Sequence, residues 1–556
     1  MKKALWILSL SILFTILPAG PGFCDGYLYN RFYPAAIHAN GADPTTLEVF
    51  TTGSDIKEVQ VFWHWYDPDW QILHDDGTHG DRAANDGIYT LNNLKALFNN
   101  FYTLFSHHHN YYGIHIKVID TAGHEIIKVG QLGLVDSKTT YPAADLGGGC
   151  AATRSAFFIT DTQGEIFAGY PLTQIACGSE LFPKAYQKLY DRFEDVFDFI
   201  ILMPETRLFE PGSYAERVPY CINVRNEIQH IGLPLFDESA TCFSKGRLRS
   251  VIYHSFGNDA ILDHEIGHSW GPRLGSTLGL LVGDNLPEGR YGHWLAEADV
   301  DGQMSYFIAG KTLADNGDGT WRLKPQDRDY MPYAPLELYA MGLIPAAEVP
   351  PVHILQGLDM TNPDKVTASS VRTVTMAEIM AAHGGVRIPA WPAAQKDFSA
   401  AFIFVSDRLF TAGELAYFSC IADHFASDEP GSNYSMPFET ATGGRATLDV
   451  ALPGMEHLTG IRTTSGLQPA TLELEQNFPN PFNHATSIAF RLDKPGQVAL
   501  SVCDRLGREV TRLAAGYFHA GRHQVRWDAS AQGTGLYWAR LNSDQGVTTI
   551  KMVLIR

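Results

Sequence analysis

The sequence predicts a multidomain chain: an N-terminal β-sandwich, a central α+β domain and a C-terminal β-sandwich. Three observations predict it. The chain has 556 residues, and at about 150 residues per domain that is too much for one hydrophobic core. Two stretches, one near each end, alternate β-branched and aromatic residues with polar ones between turn signals. Only the middle interleaves apolar strand-like runs with helical spacing.

Residues 1–24 read as a secretory signal peptide. Lys2 and Lys3 precede the apolar run "ALWILSLSILFTIL", and small residues and a proline follow in "PAGPGFCDG". The run is short for a membrane span, which needs roughly 20 apolar residues. Cys24 sits where a lipoprotein cysteine would, but Pro21, Gly22 and Phe23 do not form a lipobox. No later stretch is long and apolar enough to cross a bilayer, so no transmembrane span is expected after signal removal.

Residues 25–137 form the first predicted sandwich, from "LEVFTT", "EVQVFWHWY" and "GIHIKVID". Between these lies "DDGTHGDRAANDGIYT", which resembles a turn motif of extracellular bacterial β-sandwich modules. Its Asp75, Asp76, Asp81 and Asp86 could hold calcium; the other reading is an Asp/Gly-rich hairpin loop. It is not an EF-hand, because Gly77 and His79 fall where oxygen ligands are needed. "HHHN", from His107, reads as a solvated loop.

Residues 138–455 are expected to be mixed α and β. "AYQKLYDRFEDVF" has helical spacing and runs into "DFIILMP", a buried strand. "SVIYHSF" is another strand, and "NDAILDHEIGHSWG" a helix after it. Seven cysteines occur, none at zinc-knuckle spacing. Cys150–Cys177 and Cys221–Cys242 are the sequence-near candidates for disulfides in an exported protein; Cys420 and Cys503 read equally well as buried thiols. The net charge of -19, spread along the chain, argues against a nucleic-acid partner.

The helix at 260–271 carries His264, Glu265 and His268. Residues four apart share a helix face, so both imidazoles can point at one ion. Glu265 lies about 100° round from His264, close enough to reach a water on that ion. Zinc lowers the pKa of such a water towards about 7, and the carboxylate takes its proton as it attacks a carbonyl. Ile261, Leu262, Ile266 and Trp270 supply the helix's apolar contacts, and Asp259 or Asp263 could orient a ligand imidazole. Gly271 and Pro272 end the helix. The plain alternative is an exposed polar helix face.

This stretch resembles the zincin metallopeptidases. In the metzincin branch the pattern continues as HExxHxxGxxH; Gly271 matches its glycine, but Leu274 stands at the last histidine. The resemblance then points to His293 as third ligand, with "Met304-Ser305-Tyr306" like the methionine turn under the zinc and Met341 a second candidate for it. The glutamate-using branch would instead take Glu297, in "WLAEA". His293 is preferred, because Asp299, Asp301 and Gly302 discourage the helix Glu297 needs. Tyr306 or Tyr339 could donate to an oxyanion.

Residues 456–470 read as a linker and 471–556 as a second all-β module. "EQNFPNPFN", "DRLGR", Ala520-Gly521, Trp527-Asp528, "GLY" and the terminal "KMVLIR" together resemble a type IX secretion C-terminal sorting domain. The resemblance implies an immunoglobulin-like sandwich, export across an outer membrane, and the secretion machinery as partner. Cys503 departs from the aromatic commoner before the Asp. The whole chain thus reads as a secreted or surface-bound zinc endopeptidase acting on proteins or peptides, in a bacterium with two membranes. A non-catalytic surface adhesin or binding protein with a zincin-like domain is the alternative.

Overall fold

A computed structural model describes residues 27–554 except 53–54, 64–68, 98–108, 169–180, 206–218, 255–261, 283–291, 307, 309–310, 326–330, 428–435, 459–471, 475–476, 478–479, 481, 493–495, 504–507, 519–520, 531 and 544–545. The signal peptide, Cys24, Cys177, His107 and Asp259 therefore lie outside the described residues. The chain is β-rich and multidomain, with two compact units, residues 1–462 and 463–556.

The first unit begins with β1 (Tyr27–Tyr33), β2 (Ala36–His38), β3 (Asn40–Thr51), β4 (Ile56–Phe62), β5 (Trp70–Ile72), β6 (Ile88–Leu97), β7 (His109–Asp120) and β8 (Glu125–Val135). They form a three-stranded sheet, β1-β3-β6, and a five-stranded one, β2-β8-β7-β4-β5. Alternate residues of both sheets, among them Leu47, Val49, Val59, Val61, Ile116 and Val118, close one apolar core. His109 opens β7 rather than lying in a loop, since it pairs with Val135.

The next elements are β9 (Ala144–Gly147), β10 (Cys150–Ala152), β11 (Ala156–Thr160), α1 (Pro183–Tyr190), β12 (Phe199–Pro204), β13 (Tyr220–Asn223), β14 (Arg225–Asn226), β15 (Phe236–Asp237), β16 (Ser250–Tyr253) and α2 (Leu262–Gly267). After them come β17 (Lys311–Asp315), β18 (Trp321–Pro325), α3 (Pro335–Met341), β19 (Val352–Asp359), β20 (Thr367–Val374), α4 (Met376–Ala382), β21 (Asp397–Ser406), α5 (Ala412–Phe425), α6 (Phe438–Ala441) and β22 (Thr447–Asp449). An eight-stranded sheet, β13-β16-β12-β21-β11-β10-β9 with β22 beside β21, is the centre of this region. Its middle strands β16, β12, β21 and β11 are parallel.

Parallel strands are buried on both faces, which is why "FIILMP" has no polar alternation. Phe199, Ile201 and Met203 enter one apolar cluster with α2, α3 and α5; Ile200 and Leu202 enter another with α1. The helices thus cover both faces of a largely parallel sheet. Strands feeding helices in this order are what the middle of the sequence suggests, since each parallel pairing needs a crossover that buries its apolar face on the sheet.

The same layering removes the expected Cys221–Cys242 disulfide. Cys221 belongs to the first cluster and Cys242 to the second, so the sheet separates them. Among the described residues, Cys150, Cys221, Cys242, Cys420 and Cys503 form no disulfide with one another. Burial pushes the Cys221 thiol up to about 12 and that of Cys242 up to about 11, which keeps both protonated and unreactive.

The second unit holds β23 (Leu472–Leu474), β24 (Ala485–Leu492), β25 (Gly496–Cys503), β26 (Glu509–Phe518), β27 (Gly521–Asp528), β28 (Gly535–Ser543) and β29 (Gly546–Leu554). Sheets β23-β24-β27 and β26-β25-β28-β29 share a core of Phe482, Phe490, Trp527, Tyr537 and Met552. The sequence motifs have clear jobs here. Asn480 clamps the last strand, accepting from Val553 N–H at 2.8 Å and donating to the Lys551 carbonyl at 3.2 Å. Among the described residues no helix is long and apolar enough to cross a membrane.

Candidate metal centre

Helix α2 carries His264 and Glu265, and His268 follows in the turn that closes it. The backbone tightens there: His268, Ser269 and Trp270 donate to carbonyls three residues back, at 3.2, 2.9 and 3.1 Å. Gly271, at φ 123°, ends the turn in a conformation that side chains rarely adopt. Leu262, Ile266 and Trp270 anchor the helix in the core, and His264, Glu265 and His268 are buried beside them.

Leu274 also packs into that core, so its position contributes no ligand. His293 comes to the two helix histidines instead. One ring nitrogen of each of His264, His268 and His293 lies within 4.8 Å of the others. His264 Nε2 and His293 Nε2 are 3.1 Å apart. The His264 and His293 rings stack at 13°, and the His268 ring stands nearly perpendicular to both. Nitrogens bound at 2.0–2.1 Å around a tetrahedral zinc would be about 3.3 Å apart, so the spacing fits.

The donor chemistry fits as well. His264 Nδ1 donates to the Gln303 carbonyl at 2.5 Å, which leaves Nε2 with its lone pair toward the other rings. For His264 the orienting partner is thus a backbone carbonyl; Asp259 lies outside the described residues, and the carbonyl of Asp263 accepts from the Tyr333 hydroxyl. Glu297 is not in the converging group. Its stretch is turn rather than helix, and its carbonyl accepts from Leu355 N–H.

The segment bearing His293 is laced to the 303–306 turn. Trp294 N–H donates to the Met304 carbonyl at 2.9 Å, and Tyr306 N–H to the Trp294 carbonyl at 3.0 Å. Met304 reaches under α2 because residue 267 is glycine: a Cβ there would sit 2.6 Å from Met304 Sδ. Met341 lies on α3 in the core. Tyr339 is buried, its hydroxyl accepting from Arg387 N–H at 3.0 Å, so it is structural. Tyr306 is 44% exposed, with its ring 5.8 Å from that of His293.

Glu337 is the residue that the sequence reading missed. Its buried carboxylate accepts four hydrogen bonds: Oε1 from Trp294 Nε1 (2.9 Å) and Met304 N–H (2.8 Å), Oε2 from Gln303 N–H (3.1 Å) and Ala334 N–H (2.8 Å). Burial pushes its pKa up to about 7 against those bonds. Pro335 and Glu337 at the first and third helix positions mark a helix start, which was the available signal; the reach to Trp294 is not local. A Glu337→Gln change turns an NH2 toward backbone donors. Zinc affinity should fall about 10–100-fold, as for outer-shell partners generally, measured by competition with a chromophoric chelator.

In the 75–90 loop Asp75, Asp81 and Asp86 each bring a carboxylate oxygen within 4.8 Å of the others, and two of them also hold the turn. Asp75 accepts from Asp86 and Gly87 N–H, and Asp81 from Gly77 N–H.

Residues 476–556 match the secretion system C-terminal sorting domain family, here of the type IX system. This domain marks a secreted or cell-surface protein and implies contact with the secretion machinery. No curated protein matches the chain. Among solved structures, an alkylpurine DNA glycosylase from Pseudomonas fluorescens aligns at 14% identity over 16% of this chain and 31% of that one, with a TM-score of 0.12. An engineered protein aligns at 15% identity over 28% of this chain and 32% of its own, with a TM-score of 0.13. The chain thus spans about a third of each, and both alignments are too loose to indicate a shared fold.

Proposed function

We propose that the chain is a secreted zinc-dependent endopeptidase of zincin type, cutting peptide bonds in a protein or peptide substrate. The observation that carries this is the convergence of His264, His268 and His293 with Glu265 next to the first of them. Three imidazoles would leave a fourth position of a tetrahedral ion open, the pattern of catalytic rather than structural sites. Zinc held there would supply Lewis acidity toward a peptide carbonyl and make water more acidic.

The rest falls to the chain's own groups. Glu265 holds the attacking water and takes its proton, then returns a proton to the leaving amine. Gln303 O keeps the proton on His264 Nδ1, so Nε2 stays available. The exposed Tyr306 hydroxyl is the group suited to donate to an oxyanion. In this reading residues 25–137 are a β-sandwich, 138–455 a zincin-like domain, 456–470 a linker, and 471–556 an immunoglobulin-like sandwich.

The test uses the purified full chain and an unfolded protein substrate. Chelation should abolish hydrolysis, and one added equivalent of zinc beyond any tighter site should restore it. Zinc retained at the triad with no hydrolysis of any protein would favour the non-catalytic binding role instead.

A further inference from the structure

We propose a second divalent-cation site, on the N-terminal domain, built from His74, Asp76 and His79 and suited to zinc or a similar first-row ion. One donor atom of each lies within 4.8 Å of the other two. His74 Nδ1 is 3.7 Å from Asp76 Oδ2, and the two imidazole rings stack with centroids 3.8 Å apart. None of these residues belongs to the central site.

The hydrogen bonds prepare the donors. Thr78 Oγ1 has one proton and gives it to Asp76 Oδ1 at 2.5 Å, so its contact with His79 Nδ1 at 2.7 Å is made by the ring's N–H. That fixes the His79 tautomer and leaves Nε2 with a lone pair. Asp76 keeps Oδ2 toward His74.

The backbone is pinned too. His74 exchanges both of its backbone hydrogen bonds with Thr90, at 2.9 and 2.7 Å, and the His79 carbonyl accepts from Asn92 N–H at 3.0 Å. Two imidazoles thus stand on a loop tied to β6, so that binding calls for rotation of the stacked rings but no gathering of the backbone, which lowers the entropic cost. Asp75, Asp81 and Asp86 lie within the same turn and make its field negative. Calcium takes six to eight oxygen ligands, whereas two imidazoles and one carboxylate suit zinc, copper or nickel. Three protein donors on an exposed loop leave a position for water or for a donor from another molecule.

The test is run on the full chain carrying His264→Ala and His268→Ala, titrated with zinc chloride in a calorimeter. It should bind one zinc. Adding His79→Asn removes the imidazole but suits the positive φ of 55° at that position, and zinc affinity should fall at least about tenfold. As a second measurement free of changes at the central site, the unaltered chain should bind one more zinc than its His79→Asn variant. No zinc bound by the first variant, equal binding before and after His79→Asn, or displacement of the zinc by equimolar calcium would each overturn the proposal.

Discussion

Glu265→Gln should lower peptide hydrolysis by about 10²–10⁴-fold, the usual worth of a general base, while zinc stays bound. The substitution keeps the side chain's size in a fully packed position, where Glu265 is 3% exposed between Leu262 and Trp270. It removes the negative charge and the oxygen that accepts a proton. Metal content and the far-ultraviolet circular dichroism spectrum should be unchanged. The comparison is a single-turnover assay of variant against parent. Undiminished hydrolysis would leave the endopeptidase reading without its base.

The second large effect concerns the third imidazole. His293→Ala should cost most of the zinc affinity of the central site, whereas Glu297→Ala should cost little. His293 Nε2 stands 3.1 Å from His264 Nε2, and Glu297 is absent from the converging group. Removing one of three protein donors leaves two, which hold a cation loosely. Chelator competition on both variants reads the difference directly. Loss of zinc on Glu297→Ala with retention on His293→Ala would transfer the site to the glutamate.

Much of this arrangement was legible because it is local. His264 and His268 are one helical turn apart, and the short, continuous apolar run "FIILMP" reads as a buried strand. The tail was legible for another reason: its motifs are close in order, and Asn480 clamping Val553 shows why the first and last of them occur together. The coordinating shell was not legible in the same way. That the Gln303 carbonyl holds His264 is a backbone property, invisible in side-chain identity. Glu337 joins three segments through four bonds, and nothing in "APLELYAM" announces more than a helix start. The failed Cys221–Cys242 pairing came from counting residues between cysteines, when the deciding fact was which face of a sheet each one meets.

The position of Glu337 has a bearing on when the centre becomes competent. It lies 43 positions beyond Trp294, its hydrogen-bond partner. A polypeptide made from its N-terminus completes all three imidazoles well before it contains the carboxylate that ties the Trp294 indole to the 303–304 backbone. Closing that long loop carries an entropic cost that the early segments cannot offset alone. A nascent or truncated product ending short of α3 would therefore hold every ligand of the proposed centre but lack the group that ties its segments together. In the proposed endopeptidase, such late completion would spare the cell that makes it.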